Sequence, residues 1–137
     1  MGYPIVRLPT PNVHAFVRSL EQVLVDSTRY FGVDSTTVEG HTGVWVAQRK
    51  LASIGVAVTN WVTYHGFALN VNTDLSYFSL IKPCGLDPDA MTSMERLLGQ
   101  KVLIEEVKRL LVQKFLDVFG RTIVYSQLAR APETKIK

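Results

Sequence analysis

The chain has 137 residues, of which 47% are hydrophobic and 20% are charged, a balance typical of one globular domain. It lacks the roughly 18 or more consecutive apolar residues of a membrane-spanning helix and begins without the pattern of a signal peptide, so we expect a cytoplasmic protein, or an organelle-matrix protein if the source is eukaryotic. The net charge of +3 is scattered, which argues against a nucleic-acid-binding surface.

Hydrophobic spacing predicts a strand and then a long helix in the first quarter of the chain. Residues 3–8 read as a short strand that ends at two prolines. Asn12 opens the helix, and Gly32 is placed to end it. Its apolar residues recur at helical spacing: Val13, Phe16, Val17, Leu20, Val23, Leu24 and Phe31.

The middle of the chain is rich in predicted strands. We expect strands at residues 36–39, 44–46, 50–59 and 62–72, with turns at residues 40–43, 47–49 and 60–61. The last strand is interrupted at His65 and Gly66. Glycines inside strands often mark a close ligand or backbone, so Gly55 and Gly66 predict a shared floor beneath a ligand.

Two further helices are predicted after these strands. Residues 73–81 form a short helix with Asp74 as its cap and Leu75, Phe78 and Leu80 as apolar anchors. Thr92 and Glu95 have capping-box spacing, and a long helix runs from about residue 100 to Gly120. Residues 122–125 could add an edge strand, and residues 129–137 form a flexible tail. The overall prediction is an α+β fold, an antiparallel or mixed sheet with helices on one side.

Cys84 is the only cysteine and lies in the loop sequence Lys82-Pro83-Cys84-Gly85. A lone cysteine is often a small buried hydrophobe, but one between proline and glycine is poorly suited to a core. A free thiol has a pKa of roughly 8.5, and a nearby cation favours the thiolate nucleophile. Lys50 and His65 are the candidate cations. The three histidines are too dispersed to predict a zinc site.

Five segments together resemble the LipB-type octanoyltransferases. These are Thr42–Val46 with Arg49–Gly55, then Tyr64–Val71, then Pro83–Gly85, then Met91–Ser93, which are similar to that family's segments in the same order. Lys50 precedes Cys84 by 34 positions, the spacing expected of the family's lysine–cysteine pair. The resemblance covers roughly residues 3–119.

The resemblance implies a fold shared with biotin and lipoate protein ligases and a two-step acyl transfer. Cys84 would take an octanoyl group from octanoyl-acyl-carrier-protein as a thioester, and Lys50 would activate the thiol and carry its proton. The acceptor would be a lysine on a lipoyl domain of a 2-oxoacid dehydrogenase or on a glycine-cleavage H protein. No metal or other cofactor is implied. Two short segments would line the acyl site: Ser53, Ile54 and Gly55, and His65, Gly66, Phe67 and Ala68.

The chain departs from the family at its N-terminus. The family's Arg-Gly-Gly loop and Gly-Pro-Gly-Gln run are missing, and Tyr3 aligns with the tyrosine that follows them. We therefore expect residues 1–137 to form a truncated catalytic domain with an uncovered sheet edge or core face. It could be a shortened enzyme, one half of a split enzyme that associates with an N-terminal half, or an inactive relative that binds acyl carrier protein or lipoyl domains. An adenylating ligase is disfavoured because no nucleotide-binding loop is present.

Overall fold

A computed structural model of the chain describes residues 1–81, 85 and 87–120. Cys84, the predicted strand at residues 122–125 and the predicted tail at residues 129–137 fall outside these residues. The described elements follow the order α1 (Val13–Tyr30), β1 (Thr36–Val38), β2 (His41–Val46), β3 (Arg49–Thr59), β4 (Val62–Leu69), α2 (Met94–Leu98) and α3 (Ile104–Phe119).

Helix α1 forms where its apolar spacing predicts it. The Asn12 side chain accepts a hydrogen bond from the Ala15 amide, and Gly32 follows the helix with a left-handed φ of 84°. One face is fully buried, including Leu20 and Leu24. Burial of that face, rather than its intrinsic propensity, is what stabilises a helix of this kind.

The four strands form one antiparallel sheet in sequential order, β1-β2-β3-β4. Its helices pack on one face, so the predicted α+β architecture is confirmed. Two-residue turns at Ala47–Gln48 and Asn60–Trp61 join β2 to β3 and β3 to β4, and left-handed φ angles at Ala47, Asn60 and Trp61 match the twist of such hairpins. The predicted turn at residues 40–43 is wrong in its extent, because residues 41–43 already belong to β2.

The N-terminal segment, residues 2–8, runs antiparallel along the outer edge of β4. Gly2 exchanges two 2.9 Å backbone hydrogen bonds with Phe67, and the Leu8 amide donates to the Trp61 carbonyl. Between them the buried Thr63 hydroxyl donates to the Pro4 carbonyl and accepts from the Val6 amide. These side-chain hydrogen bonds replace part of the backbone hydrogen bonding between the segment and β4. The strand predicted at residues 3–8 is therefore present as isolated bridges rather than as a regular strand.

The C-terminal part differs from prediction at three helix boundaries. Residues Leu75–Leu80 form a 3-10 helix capped by Asp74. None of its residues is buried, so Leu75, Phe78 and Leu80 do not anchor this helix in the core as predicted. Ser93, not Thr92, caps α2 by accepting from the Arg96 amide. Helix α3 starts at Ile104 rather than near residue 100.

Helices α1 and α3 cover one face of the sheet and enclose the core. Leu24, Val44 and Ala52 are buried between α1 and the strands, and Phe16 of α1 meets Phe119 of α3 at a ring-centroid distance of 5.4 Å. Along the edge of this core, α3, β4 and the N-terminal segment border an apolar cavity of about 780 Å³. Its rim includes three exposed apolar side chains, those of Met1, Tyr3 and Ile5.

Within the described part of the chain, no helix is long and apolar enough to cross a membrane.

Candidate active site

A β-bulge sets the direction of Lys50. Val44 of β2 pairs with Ala52, but the next residue, Trp45, pairs with Lys50, so two residues of β3 oppose one of β2. Val44 and Ala52 face α1 in the core. Trp45 points away from the helices, because successive strand residues alternate between faces, and its paired partner Lys50 lies on the same side. The bulge therefore turns Lys50 onto the face of the sheet opposite α1 and α3, which is called the open face because neither of these helices covers it.

The Lys50 side chain is 7% exposed, although it is charged. Its Nζ lies 5.3 Å from the centroid of the Trp45 ring, a cation–π contact. Gly43 lies beside it, and a Cβ on Gly43 would come within 2.8 Å of Lys50 Cε. Among the described residues no carboxylate lies within ion-pair distance of Lys50. Lys50 is therefore buried without a carboxylate partner among the described residues, which is uncommon for a lysine.

A buried carboxylate on α1 fixes the backbone beside Lys50. Glu21 is 0% exposed. One of its oxygens accepts from the Gly43 amide at 2.9 Å, and the other pairs with Arg18 at 2.6 Å. Because both oxygens are engaged, Glu21 holds β2 against α1 and is not a partner for Lys50.

The segment that follows the Cys84 loop returns to the sheet beside Lys50. Met91 forms a parallel bridge with Lys50, and the Thr92 amide donates to the Lys50 carbonyl at 3.0 Å. The buried Asn70 secures this contact. Its side-chain amide donates to the Thr92 carbonyl, and its main-chain carbonyl accepts from the Met94 amide. Strand β4 ends at Leu69, and beyond that point Met91 and Thr92 lie beside β3 in its place.

Three of the predicted lining residues lie on the open face with Lys50. Ser53 pairs with Ala68 across β3 and β4, and Gly55 follows on the same side of β3. Gly55 is exposed, and a Cβ there would meet no atom within 4 Å. These small side chains form a shallow strip that leads away from Lys50.

The structure separates the other predicted lining residues from Lys50. Ile54 and Phe67 pair with each other and pack on the helix side, where Phe67 also borders the apolar cavity. His65 pairs with Val56, which is six residues along β3 from Lys50, or roughly 20 Å at 3.3 Å per residue. His65 is therefore no candidate partner of Lys50 in this fold.

Gly66 is held by another backbone rather than left open for a ligand. A Cβ at Gly66 would lie 2.0 Å from the Gly2 carbonyl oxygen and 2.7 Å from Pro4 Cδ. Gly55 and Gly66 do pair directly, as the predicted floor requires. Only Gly55 offers open space on that floor.

The sequence interpretation missed the surroundings of Lys50, namely Trp45, Gly43 and Glu21. The turn predicted at residues 47–49 is one residue too long, because Arg49 already belongs to β3; the shorter turn pairs residue 46 with 49 and residue 45 with 50. Nothing in the sequence connected Glu21 with Gly43. For the described residues, no cluster of three or more His, Cys, Asp or Glu side chains is arranged to hold a metal ion.

The antiparallel sheet with helices on one face has the α+β fold of the lipoate and biotin protein ligases. Lipoate-protein ligase A bound with ATP superposes with a TM-score of 0.70 at 18% identity, over 85% of this chain and 50% of that one. Biotin protein ligase from Aquifex aeolicus, in complex with biotin and ATP, superposes with a TM-score of 0.60 at 13% identity, over 86% and 48%. At these identities the likeness shows the fold alone.

Residues 1–116 match the lipoyl protein ligase A/B catalytic domain, and the chain belongs to that family. A probable octanoyltransferase of Pyrobaculum calidifontis is 46% identical over 125 residues, which are 91% of this chain and 54% of that protein. Other octanoyltransferases match at 41–48% identity, so the predicted resemblance to this group is confirmed. The chain spans about half the length of the curated relatives it matches.

Proposed function

We propose that this chain carries the reactive cysteine and its activating lysine of an octanoyltransferase in protein lipoylation. The single observation that carries the proposal is Lys50: a buried ammonium without a carboxylate partner among the described residues, turned by a bulge onto the open face of the sheet. The similarity to octanoyltransferases supports the reaction class. We assign the nucleophile to Cys84, which is the only cysteine in the chain.

The first step transfers the acyl group to the enzyme. The Cys84 thiolate attacks the thioester carbonyl of octanoyl-acyl-carrier-protein, a new carbon–sulfur bond forms, and the bond to the carrier sulfur breaks. The carrier leaves as a thiol after it gains the proton that Cys84 lost. Lys50 is suited to hold that proton between the two sulfurs, since a buried ammonium near a thiol also favours the thiolate.

The second step transfers the acyl group to the acceptor. A lysine amine on a lipoyl domain of a 2-oxoacid dehydrogenase, or on a glycine-cleavage H protein, attacks the Cys84 thioester. An amide forms, the bond to Cys84 breaks to leave the thiolate, and the amine's surplus proton ends on Lys50, which lost its own proton to the carrier sulfur in the first step. The covalent intermediate divides one difficult transfer into two easier ones and predicts ping-pong kinetics.

The return of the Cys84 loop to the sheet supports the lysine–cysteine pairing. Met91 and Thr92, seven and eight positions after Cys84 in the sequence, lie directly against the Lys50 backbone, where Asn70 secures them. We expect displacement of Met91 and Thr92 to slow the reaction, because misplacement of a reacting group by about 1 Å can cost roughly a hundredfold in rate.

The strip of small residues supports a place for the alkyl chain. Ser53, Gly55 and Ala68 leave space beside Lys50 on the open face, whereas Phe67 packs on the helix side. We therefore assign the acyl strip to Ser53, Gly55 and Ala68. Ile54 and Phe67 then act as its core support, and His65 and Gly66 fall outside the strip.

The competing reading is an inactive or split fragment that only binds acyl carrier protein or lipoyl domains. The apolar cavity, with Tyr3 and Ile5 exposed on its rim, favours association with another protein surface. Such association is compatible with the Cys84 chemistry where the associated surface completes the substrate pocket.

The rate of Cys84 alkylation by iodoacetamide separates a reactive thiol from an inert one. The proposal predicts fast alkylation at neutral pH in the wild-type chain and slow alkylation in Lys50→Ala. Lys101→Ala, at an exposed lysine, is the matched control and keeps the wild-type rate. Equal rates in all three proteins would rule out activation by Lys50 and leave the binding fragment as the better account.

A further inference from the structure

The side chain of Trp45 is buried beside Lys50 without a hydrogen bond that would explain its position. Trp45 is 6% exposed, and its indole Nε1 is buried with no hydrogen-bond partner in the described part of the chain. Buried polar groups are normally paired, so an unpaired indole N–H makes tryptophan a costly choice for packing alone. Phenylalanine would fill much of the same space without that donor.

The contacts of the Trp45 ring show what it does offer. Lys50 Nζ lies 5.3 Å from its centroid on one side, and the exposed His41 ring meets it edge-on at 5.9 Å. Tryptophan gives the strongest cation–π contact of the aromatic side chains. It is also the only contact of the Lys50 ammonium with a charged or aromatic group among residues 1–81, 85 and 87–120.

The backbone on either side of Lys50 leaves its side chain little freedom. The bulge fixes its face of the sheet, and the glycine at position 43 leaves just enough space for Cε to pass. The long, flexible side chain still needs a contact at its end, and the indole face provides it.

We propose that Trp45 is a positioning residue for Lys50. Its ring holds the ammonium on the open face of the sheet, in the direction from which the Cys84 thiol would be activated. This inference rests on the proposed Lys50–Cys84 chemistry, and it assigns to Trp45 no contact with substrate.

Two readouts on the full chain test the inference. The first is the NMR signal of the Lys50 Hε protons in protein labelled at lysine, assigned by its loss in Lys50→Arg. The ring current of Trp45 shifts this signal upfield of the other lysines. Trp45→Leu abolishes the shift, Trp45→Phe keeps part of it, and Trp61→Leu, at an exposed tryptophan, leaves it unchanged.

The second readout is the rate of Cys84 alkylation in the same proteins. We expect Trp45→Leu to slow it roughly 2- to 30-fold, the range for a cation–π contact, with Trp45→Phe in between and Trp61→Leu at the wild-type rate. Leucine and phenylalanine are both apolar and smaller than tryptophan, so a pure packing role would slow the two variants by similar amounts, whereas a cation–π role makes Trp45→Phe the faster of the two. An unshifted Lys50 signal in the wild-type chain would overturn the inference, as would a Trp45→Leu rate equal to wild type when Lys50→Ala is slow. If Lys50→Ala itself keeps the wild-type rate, the proposed function is what fails.

Discussion

Replacement of Glu21 tests whether a buried carboxylate on α1 fixes the strand beside Lys50. Glutamine and leucine are close in size to glutamate, and both remove the ion pair with Arg18, so the contribution of Arg18 cancels between the two variants. Glutamine keeps an oxygen that can accept from the Gly43 amide, whereas leucine leaves that buried amide unpaired. An unpaired buried donor costs about 1–3 kcal/mol, so Glu21→Leu should be less stable than Glu21→Gln by that amount.

Urea unfolding of the two variants gives the difference in the free energy of unfolding, and amide hydrogen exchange reports on Gly43 directly. We expect the Gly43 amide to exchange slowly in Glu21→Gln and fast in Glu21→Leu. Equal stability of the two variants, or a protected Gly43 amide in Glu21→Leu, would refute the role of Glu21 as the anchor of β2.

The remaining predictions concern the N-terminal edge, the core and one surface carboxylate. Gly66→Ala should cost about 1–3 kcal/mol in unfolding free energy by displacing the N-terminal segment, whereas its partner variant Gly55→Ala meets no atom and should cost under about 1 kcal/mol. Leu24→Ala, at 0% exposure, should cost about 2–5 kcal/mol in the same urea assay. Hydrogen bonds from the Ser76 hydroxyl and amide lower the pKa of Asp74 from its usual value of 3.8, so this carboxylate favours the folded state above that pH and loses the effect as pH falls through its lowered pKa. An NMR titration should show the Asp74 pKa rising in Ser76→Ala; an unchanged value would contradict this cause.

The main elements follow from the sequence because local patterns and burial agree. The apolar spacing of α1, its Asn12 cap and the run of strand-forming residues along β3 each favour the element that forms. The start of α3 does not follow, because Asn72 exchanges two hydrogen bonds with the Val102 backbone and holds the preceding residues extended. A contact between residues 30 positions apart is invisible to local propensity.

The sequence named Lys50 and Ser53 as candidate site residues but did not predict their geometry. Lys50 and Ser53 are three residues apart, and regular alternation would put them on opposite faces of the sheet. The bulge brings them to the same face, and a one-residue slip of this kind cannot be read from a continuous run of strand-forming residues. Alternation along β4 also places Phe67 and Ala68 on opposite faces of the sheet, although both were predicted to line the acyl site.

The most direct test of the account is the intact mass of the chain after incubation with octanoyl-acyl-carrier-protein, with Cys84→Ala and Lys50→Ala measured alongside. The account predicts a gain of one octanoyl group in the wild-type chain, no gain in Cys84→Ala and a much slower gain in Lys50→Ala. A gain that persists in Cys84→Ala would contradict the thioester on Cys84. No gain in the wild-type chain, even with an added N-terminal half, would contradict the proposed transfer itself.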